Sequence, residues 1–74
     1  MLCMSTRNKL LGNNIKAERN RKVLTQAELA EMVDISESSL SLIERGIQTP
    51  SVFIVYDIAK ALQIDINELF KNIK

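Results

Sequence analysis

Six consecutive residues in the middle of the chain, SESSLS at positions 36–41, include four serines within a stretch of helical spacing. Serine is a mediocre helix former because its hydroxyl competes for backbone hydrogen bonds. A helix rich in serine nevertheless presents a small surface that a polar ligand can approach closely, and each hydroxyl can donate or accept a hydrogen bond. The alternative is that these serines only keep the surface of the helix soluble.

The chain offers little for catalysis or metal binding. It has no histidine, and its one cysteine, Cys3, can neither complete a zinc site nor form a disulfide within the chain. There is also no nucleophile with a nearby base and no glycine-rich phosphate loop. We therefore expect no enzymatic activity, no metal and no cofactor, and we interpret Cys3 as an inert thiol.

The elements that position the serine-rich segment are predicted to be helices. Two glycines, one proline and no sustained apolar–polar alternation argue against strands. The first helix is predicted over about 7–21, and a capping box at Thr25–Glu28 begins the second. The third helix has its N-cap at Ser36 and a left-handed stop at Gly46, and the fifth has its N-cap at Asp65. Pro50 is predicted as the first residue of the fourth helix, whose apolar stripe is Val52, Val55, Ile58, Ala59 and Leu62. The sequence thus predicts an all-α domain of five short helices at 10–74, after an N-terminal arm over 1–9 that is free at least through Thr6.

Charge is unevenly distributed along the 74 residues. The net charge is +1, but residues 1–24 hold six basic residues against one acidic residue, whereas residues 25–74 hold four against eight. A basic N-terminal part is compatible with a polyanion bound on one side of the molecule, although many solvated helices show the same pattern. No apolar run approaches the ~20 residues of a membrane span, and no signal peptide is visible. We expect a single cytoplasmic domain without a membrane partner.

The second and third predicted helices have the spacing of a helix-turn-helix, in which the second helix of the pair enters the DNA major groove. A helical wheel that turns Leu40 and Ile43 toward the core exposes the opposite side of the third helix. That side consists of Ser38, Leu42 and Arg45, flanked by Glu37 and Ser41. Its side chains are short until Arg45, so the helix axis can lie deep in a groove about 12 Å wide, with the hydroxyls near bases and phosphates.

One charged pair is expected inside the domain. Glu44 falls on the core side of the third helix beside Leu40, where an unpaired carboxylate would be costly. Arg19 lies at the edge of the apolar stripe of the first helix. We predict a partly buried ion pair between Arg19 and Glu44 that ties these two helices together.

The combination of motifs is specific. The stretches LTQAELAEMVDISESSLSLIERG and TPSVFIVYDIAKALQIDINELF closely resemble the helix-turn-helix domain of the phage repressor/Cro-like family, also called the XRE family. The likeness runs from about Ile15 to Phe70. It implies a five-helix, lambda-repressor-like fold, with a helix-turn-helix formed by helices two and three, and a transcriptional regulator of double-stranded DNA.

The resemblance also implies roles for individual residues. Gln26 would contact a phosphate, and Arg45 would hold the DNA backbone after the third helix ends. Glu37, Ser38 and Leu42 occupy positions that face the bases in the family. Ser36, Ser39 and Ser41 occupy positions that contact bases in some members of the family and phosphates in others. Arg19 and Glu44 occupy the positions of the internal ion pair of the family, in agreement with the prediction from the helical faces.

Two departures from the family pattern bear on DNA binding. Asp34 stands where the turn usually has glycine, which is tolerable because aspartate enters the left-handed region more readily than most residues. The third helix has no basic residue before Arg45 and carries Glu37 instead. A carboxylate can accept a hydrogen bond from cytosine N4, and Leu42 can contact a thymine methyl. The alternative is that Glu37 points to solvent and contacts no base.

Apolar residues of the fourth helix suggest a second surface. Phe53, Ile54 and Tyr56 lie where the family more often has polar side chains, and Ile47 lies where lysine is common. All four cannot fit one apolar stripe, and exposed apolar clusters usually mark an interface. We expect a symmetric homodimer that places two third helices roughly 34 Å apart. The alternative is that Phe53 or Ile54 covers the small core of a monomer.

The sequence therefore predicts a sequence-specific double-stranded DNA-binding transcriptional regulator that acts as a small stand-alone homodimer. A second hypothesis is an antitoxin-like or adaptor protein whose main partner is another, unknown protein. The shortage of basic residues on the third helix favours this second hypothesis. Gln26, Arg45 and the basic first helix favour DNA binding.

Overall fold

A computed structural model describes residues 4–73 of the chain, with side chains from Thr6 onward. Within these residues the protein is all-α, as predicted. Its elements are α1 (Met4–Arg21), α2 (Gln26–Met32), α3 (Glu37–Glu44), α4 (Val52–Leu62) and a short 3₁₀ helix (Ile66–Leu69). The predicted fifth helix is thus a single 3₁₀ turn, the form in which such short helical pieces usually occur. None of the helices in the described part is long and apolar enough to cross a membrane.

The N-terminal boundary corrects the sequence prediction. Helix α1 begins at Met4, so residues 4–9, which were predicted to form an arm, are helical. Tertiary contacts stabilise this early start. Asn8 Nδ2 donates a hydrogen bond to Thr49 Oγ1 at 2.7 Å, and the backbone of Lys9 lies against Gly46. The remainder of the predicted arm, including Cys3, lies outside the described residues.

The predicted caps of α2 and α3 are confirmed. Thr25 Oγ1 accepts the Glu28 N–H at 3.0 Å, and the Glu28 carboxylate accepts the Thr25 N–H at 2.8 Å, which completes a capping box. Hydrogen bonds from Thr25 to this carboxylate, first from its backbone N–H and second from its side chain, hold the pKa of Glu28 below its ordinary value of 4.5. Ser36 caps α3 by accepting the Ser39 N–H at 3.0 Å.

Left-handed residues turn the chain at both ends of α3. Asp34 has φ 58°, and this single residue allows the tight turn between α2 and α3. Gly46 has φ 78°, as expected for a residue that ends a helix. Its N–H donates to the Ile43 carbonyl at 3.1 Å, and the Ile47 N–H donates to the Leu42 carbonyl at 2.9 Å. This pair of bonds is a Schellman motif, which satisfies the last carbonyls of α3.

The start of α4 differs from the prediction. Pro50 was expected as its first residue, but Ser51 is the N-cap and the helix begins at Val52. The reason is that the Ser51 hydroxyl accepts the Ile54 N–H at 3.2 Å, a bond that a proline side chain cannot make. Pro50 is buried just before the cap and lines the same crevice as Val55.

The core lies between the four α-helices and the 3₁₀ helix. Its buried apolar residues are Leu11, Ile15, Leu29, Ala30, Val33, Leu40, Ile43, Val55, Ile58, Ala59, Leu62 and Leu69. Each fully buried leucine or isoleucine contributes about 1.5–3 kcal/mol. Polar contacts from α1 hold the C-terminal segment. Asn14 Nδ2 donates to the Leu69 and Lys71 carbonyls at 2.9 and 3.0 Å, and the buried carboxylate of Glu18 lies 3.8 Å from Lys71 Nζ.

Candidate nucleic-acid interface

A buried ion pair fixes α3 against α1. Arg19 Nε lies 2.7 Å from Glu44 Oε2, and Arg19 Nη2 donates to Glu44 Oε1 at 3.0 Å. The third guanidinium nitrogen, Nη1, donates to the Leu24 carbonyl at 2.7 Å. The predicted pair is therefore present, and it is more deeply buried than expected, with 9% and 2% of the two side chains exposed. A bidentate pair of this kind fixes orientation as well as distance.

Gln26 joins this network from the first turn of α2. Its Nε2 donates to Glu44 Oε1 at 3.0 Å. Gln26, which is predicted to contact a phosphate, is thus held in place by one N–H of its side-chain amide. The second N–H of the same amide is not used in this hydrogen bond. Consequently the ends of α1 and α3 and the start of α2 meet at one hydrogen-bonded cluster.

The two sides of α3 separate as the helical wheel predicts. Leu40 and Ile43 are almost fully buried. Among the outward residues, Glu37, Ser38 and Arg45 are exposed, and Ser41 and Leu42 are half-buried. A shallow depression, which we call the α3 concavity, is lined by Gln26, Glu37, Ser38, Ser41, Leu42 and Arg45. Six of the eight residues predicted to contact DNA therefore share one open surface.

The remaining two serines have structural hydrogen bonds. Ser36 accepts the Ser39 N–H, and its own hydroxyl donates to Ser39 Oγ at 3.0 Å. Ser36 and Ser39 are not among the residues that line the α3 concavity. Their hydroxyls support the start of the helix, and the serine-rich segment thus includes both capping and outward-facing residues.

Sequence reasoning missed a second depression next to the α3 concavity. This α1 crevice is lined by Lys9, Asn13, Lys16, Gln26, Glu44 and Arg45. Its residues from α1 lie at positions i, i+4 and i+7, a spacing that places them on one helix face. That spacing was visible in the sequence. The sequence does not specify how α1 and α3 cross, and it is this crossing that places the α1 face beside Arg45.

The four predicted interface residues do not form one surface. Phe53, Tyr56 and Ile47 are exposed, at 77%, 52% and 65% respectively, but Ile54 is half-buried and packs against the core. An apolar patch is lined by Val52, Phe53, Tyr56 and Ile66. Val52, predicted to belong to the buried stripe of α4, is 69% exposed because it is the first residue of the helix, at the edge of the core. Ile47 lies in the loop before α4, outside this patch.

Comparison with known families covers most of this arrangement. Residues 15–69 match the model of the helix-turn-helix family HTH_3. The matched range includes α2, α3, α4 and both members of the buried ion pair. The chain belongs to the helix-turn-helix family of DNA-binding transcriptional regulators. The resemblance to the phage repressor/Cro-like type is therefore confirmed.

Similar helix-turn-helix proteins are named as regulators. The HTH-type transcriptional regulator YazB of Bacillus subtilis is 43% identical over 58 residues, which cover 78% of this chain and 84% of YazB. The regulator y4dJ of Sinorhizobium fredii is 39% identical over 61 residues, covering 82% of this chain and 79% of y4dJ. The immunity repressor of Bacillus phage phi105 is 39% identical over 59 residues, but these are only 41% of the repressor.

Solved structures of the family share the fold. The restriction-modification controller protein C.AhdI from Aeromonas hydrophila superposes with a TM-score of 0.82 at 30% identity, covering 85% of this chain and 96% of C.AhdI. SinR, a master regulator for biofilm formation, was solved in complex with DNA. It gives a TM-score of 0.77 at 32% identity, covering 82% of this chain and 98% of that chain.

Proposed function

We infer that the protein binds a specific double-stranded DNA sequence as a homodimer, with α3 in the major groove. The observation that carries this proposal is the α3 concavity, a surface that includes the short side chains of Ser38 and Ser41 and that the rest of the domain leaves open. A helix whose outward residues are small can approach the base edges closely. SinR, a protein with the same fold, is described in complex with DNA.

Each outward residue receives a role from its position. Glu37, Ser38 and Leu42 lie on the exposed face of α3 and contact bases. Gln26 and Arg45 both line the α3 concavity and contact phosphates of the DNA backbone. Ser41 adds a base or phosphate contact within the concavity, and Ser36 and Ser39 contribute at the start of the helix. Because the proposed ligand is double-stranded DNA, we propose that the protein acts in the cytoplasm.

The apolar patch on α4 supports the homodimer. Val52, Phe53 and Tyr56 are each more than half exposed. Burying them against the same residues of a second copy removes apolar surface from water without requiring another protein. A two-fold dimer of this kind presents two α3 helices at about 34 Å, the spacing of half-sites one helical turn apart. Ile47 lies outside the patch and contacts the partner from the adjacent loop.

Binding to random-sequence duplex at increasing salt tests the DNA proposal. Each phosphate that the protein neutralises adds about −0.9 to the slope of log K against log salt concentration. We expect measurable binding at low salt and a slope of about −2 or steeper, which corresponds to two or more neutralised phosphates. Selection from a random duplex pool then yields a preferred site with two related half-sites. Affinity that does not change with salt, together with no enriched sequence, would refute the proposal.

A second candidate is a protein whose main partner is another protein, of the antitoxin-like or adaptor class. The observation that favours it is charge: Arg45 is the only basic residue that lines the α3 concavity, and it lies there with Glu37. A structure of SinR in complex with the SinI protein is also similar, with a TM-score of 0.78 at 32% identity, covering 84% of this chain and 61% of that chain. The salt titration separates the two candidates, because a protein of this second class does not bind bulk duplex.

A further inference from the structure

The exposed face of α1 carries a row of polar residues toward the end of α3. Lys9, Asn13 and Lys16 are all exposed, and all three line the α1 crevice. Arg45 and Glu44, at the end of α3, and Gln26 of α2 also line the crevice. The crevice thus combines three cations with two side-chain amides and one carboxylate.

A close crossing of two backbones creates this crevice. A Cβ added to Gly12 of α1 would overlap the Ile43 carbonyl oxygen and would lie 2.5 Å from the carbonyl oxygen of Glu44. A Cβ added to Gly46 would lie 2.8 Å from the Cα of Lys9. Both glycines of the chain are therefore at the contact between α1 and the end of α3. Because Gly12 and Gly46 have no side chain, α1 can lie close enough to α3 to place its row of polar residues beside Arg45.

The cations of the α1 crevice are available to an external anion. Within the described residues, neither Lys9 nor Lys16 lies within 4 Å of a carboxylate oxygen, and the Arg45 Nε donates only to the Ser41 carbonyl of its own helix, at 3.4 Å. Glu44, the one acidic residue in the lining, is engaged by Arg19 from inside the domain. The rim of the crevice therefore remains positive.

The crevice is continuous with the α3 concavity, because Gln26 and Arg45 line both. A duplex that accepts α3 in its major groove has a phosphate strand along each side of that groove. We propose that the α1 crevice binds a backbone phosphate of the same duplex, with Lys9, Lys16 and Asn13 as ligands in addition to Arg45. This inference rests on the proposed DNA binding and extends the contact surface from α2 and α3 to α1.

The assignment explains an imbalance in the proposed interface. The α3 concavity has one cation and one carboxylate, a weak attraction for a polyanion. Two lysines on α1 supply the missing charge from outside the groove. Phosphate contacts fix the position of the protein on DNA and carry no sequence information. The α1 crevice therefore contributes affinity, while the outward residues of α3 contribute specificity.

A matched pair of lysine variants tests the proposal. Lys16→Ala removes a residue of the crevice, whereas Lys22→Ala removes an exposed lysine just after the end of α1, with the same change of net charge. Salt titrations with a random 20-base-pair duplex are measured for the parent and for both variants. We expect the slope of log K against log salt to become shallower by about 0.9 for Lys16→Ala and to stay within error for Lys22→Ala. Lys9→Ala should behave like Lys16→Ala.

A further measurement tests whether the contact is to a phosphate. The loss for Lys16→Ala should be equal on a selected site and on a scrambled duplex, since a phosphate contact is independent of sequence.

Two outcomes would overturn the α1 phosphate site while leaving DNA binding intact. They are equal slopes for Lys16→Ala and Lys22→Ala, and a loss confined to the selected site. A parent that binds no duplex at low salt would instead refute the proposed function itself. Because all three lysines are exposed, the three alanine variants should unfold at the same temperature as the parent. A matching unfolding temperature excludes misfolding as the cause of a change in DNA binding.

Discussion

Residues of α3 divide between two tasks according to the side of the helix on which they lie. Leu40, Ile43 and Glu44 face inward and are at most 4% exposed. Glu37 and Ser38 face outward and are free to contact a ligand. The inward carboxylate is the unusual member, because burying a charge is costly unless it is paired and hydrogen-bonded. Arg19 and Gln26 together meet that requirement.

The Arg19–Glu44 pair should therefore dominate the polar contribution to stability. Arg19→Ala leaves a buried carboxylate without its partner, so we expect the free energy of unfolding in urea to fall by about 3–5 kcal/mol. Lys22→Ala, at an exposed position, serves as the control and should stay within about 0.5 kcal/mol of the parent. An Arg19→Ala protein that unfolds at the same urea concentration as the parent would contradict a stabilising role for the pair.

Glu37 should contribute to base selection. If its carboxylate accepts a hydrogen bond from cytosine N4, Glu37→Gln should change the discrimination between a selected site and a scrambled duplex by about 1–3 kcal/mol. It should also strengthen binding to the scrambled duplex, because one negative charge near the phosphates is removed. The measurement is a pair of equilibrium titrations at one salt concentration. Equal changes in both affinities would mean that Glu37 points to solvent and contacts no base.

At the scale of the helices, the caps of α2 and α3 could be predicted because their hydrogen bonds join residues three positions apart. The starts of α1 and α4 were not predicted correctly. The early part of α1 is held by Thr49, more than forty residues away. The Ser51 cap is as local as those of α2 and α3, but Pro50 gave a competing signal for the first residue of α4. The α3 concavity followed from helical periodicity, whereas the α1 crevice depends on the crossing at Gly12, which no local pattern specifies.

The capping box of α2 gives the stability a defined pH dependence. Because hydrogen bonds from Thr25 lower the pKa of Glu28 in the folded state, its charged form stabilises the fold at pH values above 4.5. That contribution is lost as the pH falls from 4.5 through the lowered pKa. We expect Glu28→Gln to melt below the parent at pH 7 and the difference in melting temperature to shrink at pH 3. A difference that is the same at both pH values would exclude the charge as its source.

For the whole molecule, the proposed dimer depends on the apolar patch of α4. Phe53→Asp should convert a sedimenting dimer to a monomer at micromolar concentration, since a charge would be buried at the interface. Its melting temperature at low protein concentration should change little, because Phe53 is 77% exposed in the single chain. Met32→Asp, at an exposed apolar residue of α2, is the matched control and should remain dimeric.

The DNA readout of the same variants links assembly to function. Phe53→Asp should lose affinity for a site with two half-sites but retain the affinity of the parent for a single half-site. Met32→Asp should bind both sites as the parent does. A parent that sediments only as a monomer, with and without DNA, would rule out the homodimer and leave the apolar patch for a different protein partner.

The separation of inward and outward residues on α3 also makes the domain a scaffold that can be reprogrammed. Glu37 and Ser38 can be exchanged without disturbing Leu40 or Ile43, so a library at the outward positions should keep the melting temperature of the parent. Selection of such a library against new operators would search target preference alone. Evolution has the same freedom, and relatives with one common architecture can therefore diverge in the genes that they control.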